Sequence, residues 1–178
     1  MNAVLPAPDL DAYPPIEWRQ LRWLLDQGVP ITVLMEFLPL RVARGIVGPN
    51  CRLDEDPMGK QFIVFEELED VLYWRPRSGE LASWNGRAFA LGEAAIDDPA
   101  TCAFGGHLNL WPDPLSWLRA KCDGCVILDW SRAWFRLHDV PRIAVHELLL
   151  FQYRHHMKPP PGPETFVLRD ASSRSAAS

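Results

Sequence analysis

Through the first half of this chain short apolar runs alternate with polar turns, and through the second half helical and extended patterns take turns. Residues 15–27 carry apolar positions at helical spacing and stop at Gly28, where a helix end favours glycine. On a wheel Trp18, Leu21 and Leu25 share one side, and Ile16 and Trp23 point nearly the opposite way. Such a helix packs between two layers or presents Trp23 to a partner. A second short helix is expected after Pro30, holding Val33, Leu34 and Phe37, and residues 41–47 then read as a strand.

A polar loop follows, with a short strand at residues 51–53. Residues 62–65 form a strand, an acidic turn of Glu66, Glu67, Glu69 and Asp70 leads into a strand at 71–74, and a turn on Arg75-Pro76-Arg77-Ser78-Gly79 leads into one at 80–84. Asn85-Gly86 has the residue pair that a two-residue hairpin needs, because both tolerate positive φ. It predicts a return strand over 87–91, with Trp84 opposite Arg87 and Ala82 opposite Phe89 on one face. The first half is thus expected to be an antiparallel meander.

A helical turn at 94–96, a loop at 99–106 and a short strand at 107–111 come next. Asp113-Pro114 is a good helix start, with Leu115, Leu118 and Cys122 on one buried face. The chain turns through Asp123-Gly124 into Cys125, Val126, Ile127 and Leu128, an apolar run without alternation, as in a strand covered on both sides at the middle of a sheet. Residues 131–137 read as a helix, 142–145 as a strand and 146–157 as a last helix. Only Glu147 and Arg154 make a clear polar stripe on that helix, which predicts that it is well buried. Prolines 159–161 and 163 end it, the final SSRSAAS lacks apolar content, and residues 166–168 are a candidate edge strand. The expected class is α+β: a mixed sheet with an N-terminal antiparallel meander and a C-terminal helix-strand-helix-strand-helix unit. The expected organisation is an irregular segment at 1–14, a single domain at 15–157 and a Pro-rich tail at 158–178.

Composition narrows the partner more than the fold. A length of 178 residues with 48% hydrophobic content fits one globular domain, and eight Trp residues place some indoles at a surface or interface. A net charge of −5 excludes binding to nucleic acid by a general basic field but leaves room for a local basic patch. No stretch reaches the roughly 20 apolar residues that span a bilayer, and the start of the chain lacks the pattern of a secretory signal. The expectation is therefore a cytoplasmic protein with no membrane contact. Four Cys do not read as a disulfide scaffold.

Several constellations are candidates for chemistry. Cys122-Asp-Gly-Cys125 has the spacing of a zinc knuckle, but two more ligands would be needed, and Cys51 and Cys102 stand alone. The pair closes a helix before a strand, the reverse of thioredoxin-type motifs, so both read as core cysteines and no metal site is expected. Asp129 follows the apolar run, where it can cap the next helix or serve as a catalytic carboxylate. Glu66, Glu67, Glu69 and Asp70 make either a solvated bend or a cradle for a divalent cation. Arg75, Arg77 and Arg87 with Trp74 and Trp84 could form a surface that stacks bases and holds phosphates, although Arg87 stands about 17 Å from the other two along a strand. A cation–π contact between Trp84 and Arg87 is the ligand-free alternative. The five His residues make no catalytic pattern, and no nucleophile elbow, P-loop or dinucleotide fingerprint is present.

The phrases LYWRPRSGELASWNGRAFALGEAAI and LNLWPDPLSWLRAKCDGCVILDW resemble those of uncharacterised bacterial proteins of prophage or plasmid type. The second half is also similar to a Toprim-like unit, which implies a Glu after an early strand and an Asp-x-Asp after a later one. Glu66 or Glu67 matches the first, and Asp129-Trp130-Ser131 departs from the second, which implies a copy without catalysis. The expected function is a non-enzymatic binding domain of a mobile element, contacting a protein or nucleic acid through Trp23, Trp74, Arg75, Arg77, Trp84 and Arg87. The rival is a metal-dependent enzyme acting on nucleic acid, with Mg²⁺ held by Glu66 or Glu67 and Asp129.

Overall fold

The apolar runs of the first half build a sheet that is covered on both faces. In the computed structural model, which describes residues 8–68, 70–160 and 162, five strands form this sheet. They are β1 (Arg41–Val47), β2 (Leu53–Glu55), β3 (Lys60–Glu66), β4 (Val71–Arg75) and β5 (Glu80–Ser83), all antiparallel, in the order β2-β1-β3-β4-β5. The sheet curls until its edges meet: Arg52 bridges Ser83, whose N–H donates to the Cys51 carbonyl at 2.9 Å. Gly45 lets β1 and β2 approach closely, since a Cβ there would lie 2.6 Å from the Asp54 carbonyl oxygen.

Inside the curl lie Ala43, Leu53, Phe62, Val64, Val71, Tyr73 and Ala82. The lead-in is less irregular than its sequence implies. Its Leu10–Ala12 turn is capped by Asp9, and Tyr13 enters the curl, edge-on to Tyr73 with ring centroids 6.3 Å apart. The Tyr13 hydroxyl bonds Glu55 and lies 3.0 Å from the Tyr73 hydroxyl. On the outer face Ile63, Phe65, Leu72 and Trp74 are buried against helices α1 (Trp18–Asp26) and α2 (Ile31–Glu36). Two covered faces explain why residues 62–65 and 71–74 do not alternate.

The second half comprises β6 (Ala90–Leu91), α3 (Ala94–Asp97), β7 (Leu108–Leu110), α4 (Pro114–Arg119), β8 (Val126–Ile127), α5 (Ala133–Leu137), β9 (Ile143–Val145) and α6 (Leu150–His156). Strand β8 pairs antiparallel with β6, and β7 pairs parallel with β9. A parallel bridge from Leu110 to Cys125 joins the two pairs. The apolar run at 125–128 therefore does lie between two neighbours, but in this small second layer and not in the meander. The class is α+β. Trp117 of α4 joins the layers: its ring centroid is 6.2 Å from that of Phe65, and its indole N–H donates to the Gly124 carbonyl at 2.8 Å.

Three expectations need correction. Asn85-Gly86 does turn, with Gly86 at φ +68, but no hairpin follows. The buried Asp70 carboxylate accepts the N–H groups of Asn85, Arg87 and Ala88, so these are unavailable to β5, and Ala82 pairs with Tyr73 alone. The wheel of the first helix also shifts. Leu24 is its buried centre, and Trp18 is 68% exposed. Finally, α6 is not well buried. Leu149, Tyr153 and Met157, at a four-residue spacing, make its inward stripe, while Leu148 and Phe151 are exposed at 73% and 84%. The expected edge strand at 166–168 and most of the Pro-rich tail lie outside the described residues.

Candidate ligand-binding cleft

Helix α1 opens with a capping box between Glu17 and Gln20, which fixes its first turn. Leu24 anchors it in the core, and Gln20 donates to the Gln61 side chain at 2.9 Å, docking the helix on the outer face of β3. This orientation turns Arg19, Arg22, Trp23 and Asp26 toward one side, as their spacing of three, four and seven positions requires. Across from them stand the start of β3 and the turn after β4. Together they enclose a cleft of about 610 Å³, within the size range of ordinary ligand pockets.

The cleft is lined by Arg19, Arg22, Lys60, Arg75 and Arg77, with Glu17 and Asp26 as its carboxylates. Lys60 and Arg75 share Glu80 at 3.8 and 3.7 Å, distances at which neither cation is fully neutralised. Arg19, Arg22 and Arg77 form no ion pair among the described residues and are exposed to solvent. Trp23 is half-buried: it packs on the core and also lines the cleft. Arg44, exposed on β1, is the register partner of Gln61 and adds a cation one strand beyond the residues that line the cleft.

The structure thus brings Trp23, Arg75 and Arg77 together and separates the other expected contacts. Trp74 is 1% exposed and faces the outer-face core, between sheet and helices, so it cannot meet a ligand. Trp84 packs against the inner cluster, on the opposite side of the sheet from Trp74. Arg87 belongs to a different cleft. Arg19, Arg22 and Lys60 were not among the expected contacts. The helical spacing of Arg19 and Arg22 with Trp23 was a readable signal, whereas their approach to the β4 turn depends on tertiary packing.

That other cleft, of about 270 Å³, is lined by Glu67, Arg87, Glu93, Asp97, Arg132 and Arg136. Its charges are largely spent on one another and on backbone. Burial raises the Glu67 carboxyl above its ordinary value, against opposing bonds from the Gly92 and Glu93 N–H groups. Arg136 bonds Glu93 at 2.9 Å and Asp97 at 3.0 Å. Arg132 donates to the Arg87 and Ala88 carbonyls and to Asp129 at 2.8 Å. Asp129 also accepts from Ser131 as the cap of a 3₁₀ turn. Burial pushes the Asp129 carboxyl up, but the Ser131 and Arg132 bonds outweigh it and hold the group below its usual range.

Glu66 is exposed, and Glu69 lies outside the described residues. Among the described residues no group of three or more His, Cys, Asp or Glu is placed to hold a metal ion. The Cys122 and Cys125 thiols are each pushed up to about 12, chiefly by burial, with Glu36 adding at the first and Glu67 and Glu93 at the second. Thiols held protonated in this way are unreactive packing groups. No helix among the described residues is long and apolar enough to cross a membrane. No protein-family model, curated protein or solved structure matches the chain.

Proposed function

We propose that the protein is a binding domain whose anionic partner lies in the cleft between α1 and the β4 turn. The observation that carries this reading is the gathering of Arg19, Arg22, Lys60, Arg75 and Arg77 around Trp23, on a chain whose net charge is −5. A concave basic patch on an acidic molecule focuses its field on one place and orients an anion there. The resemblance to prophage and plasmid proteins gives the setting, an accessory protein of a mobile element. A metal-dependent reaction through Glu67 and Asp129 is less favoured, because both carboxylates are already engaged by backbone or arginine.

Inorganic polyphosphate is the test ligand, since it carries charge without any other recognition feature. It should quench or shift Trp fluorescence saturably, and its affinity should fall as salt rises. The triple variant Arg19→Glu, Arg22→Glu, Arg77→Glu should lose this binding with its melting temperature unchanged. Equal binding by that variant, or no binding by the parent, rules the cleft out.

A further inference from the structure

The shape and composition of the cleft say more about its occupant than that it is anionic. Resting on the binding reading above, we infer that the occupant is a single strand of nucleic acid, with one base stacked on Trp23 and its phosphates held by Arg19, Arg22 and Arg77. Three features lead there.

The first is concavity. A duplex offers a convex, regular surface and is normally read by an element that protrudes into a groove. Here the cations line a depression of about 610 Å³, and the aromatic residue lies within it. An unstacked base can enter such a space, and a paired one cannot.

Trp23 supplies the second. Its ring is fixed on one side by the core and lines the cleft with the rest. A rigid, half-exposed indole beside arginines is a platform on which any base can stack, because every base has a π-face. A bare polyanion or an acidic peptide gains nothing comparable from it.

The third is direction. Arg44 on β1 and Gln61 on β3 are register partners on the face that carries Ile63 and Trp74, whereas Arg75, the residue after Trp74 at the end of β4, falls with Lys60 on the alternate positions. Lys60, Gln61 and Arg75 all line the cleft, so polar and basic groups from both faces are gathered at the neighbouring ends of β3 and β4. A phosphate backbone running across the strand ends meets them in turn. The Gln61 carbonyl accepts from Gln20, and its side-chain amide, which makes no hydrogen bond among the described residues, is left to donate to a base edge or phosphate.

The experiment titrates the full chain with dT12, with an RNA 12-mer, with a blunt 12-base-pair duplex, with polyphosphate and with poly-glutamate. The parent should bind the single strands more tightly than the other three, with a slope of log affinity against log salt of about −2 to −3, as three to four phosphate contacts give. Trp23→Ala should weaken single-strand binding by about 5- to 150-fold, the range of one lost base stack, and leave polyphosphate binding within about twofold. Trp23→Phe should restore most of the affinity while testing whether any loss in the alanine variant comes from folding.

If polyphosphate binds but dT12 is indifferent to Trp23→Ala in a folded variant, the nucleic-acid assignment fails and the anionic cleft stands. Tighter binding of the duplex, or of poly-glutamate, overturns the single-strand assignment in favour of a duplex reader or an acidic protein segment. If no polyanion binds, both readings fall.

Discussion

Asp70 accepts the backbone N–H of Arg87 at 2.6 Å, and that one bond marks where the meander ends and the second layer begins. The same carboxylate takes the N–H groups of Val71, Asn85 and Ala88, so a buried side chain does the work that a return strand would have done. Removing it takes the acceptor from four N–H groups, of which those of Val71 and Ala88 are buried, and a buried donor left unsatisfied costs about 1–3 kcal/mol. Asp70→Ala should therefore destabilise the protein by about 3–5 kcal/mol in urea unfolding. Asp70→Asn, which retains one acceptor oxygen, should cost about 2 kcal/mol. A loss below about 1 kcal/mol in the alanine variant would show that the junction is held by something else.

The thiols give a prediction in the alkaline range. Unfolded Cys ionises near pH 8.5, whereas Cys122 and Cys125 in the folded protein do so at about 12. Between these limits the native state holds protons that the unfolded state has released, so stability falls as pH rises. Tyr73, also pushed up to about 12 by burial, adds a fall of the same sign. Cys125→Ala should flatten the stability profile between about pH 9 and 12 relative to the parent. At pH 8 a thiol reagent should modify exposed Cys51 quickly and buried Cys125 only at the rate of unfolding. A profile unchanged by the substitution would contradict the assigned ionisation.

Much of the fold could be read locally, because apolar runs such as residues 62–65 and 71–74 and stops such as Gly28 need only near neighbours to act. What escaped was decided at a distance. The fate of Asn85-Gly86 depends on a carboxylate at position 70, and no property of the turn pair announces that. Overall apolar content made α6 look buried, whereas the inward stripe of Leu149, Tyr153 and Met157 was the better guide. In the cleft, Trp23 was recognisable as an outlier on its helix and Arg75 and Arg77 as a basic turn. Their union required α1 to dock on β3 through Gln20 and Gln61, a pairing of two polar residues that hydrophobic periodicity does not reveal.

Two glycines with similar backbone separate strain from crowding. Gly79 has φ +70 with nothing within 4 Å of a would-be Cβ, and Gly124 has φ +91 with the Asn109 Cβ only 2.7 Å from that position. Gly79→Ala should cost only the left-handed conformation, about 1–2 kcal/mol. Gly124→Ala must also push β7 away from the turn before β8, so its cost should exceed that of Gly79→Ala by at least about 2 kcal/mol. Chemical unfolding of both variants checks this, and equal losses would mean that the β7 contact yields freely.

Trp74 sets two opposing effects against each other. Its indole Nε1 is buried with no partner among the described residues, a defect that costs about 1–3 kcal/mol, while its ring fills the space beside Phe65 at a centroid distance of 6.3 Å. Trp74→Phe removes the unpaired N–H and loses part of that filling, and the two changes are of similar size. The variant should therefore match the parent within about 1 kcal/mol, whereas Trp74→Ala, which removes the same N–H but empties the whole ring's volume, should lose about 3–5 kcal/mol. Neither variant should alter ligand affinity while folded, because Trp74 lies in the core and not in the cleft. A cost above about 2 kcal/mol for Trp74→Phe would mean that the N–H is satisfied, with a buried water as the simplest partner.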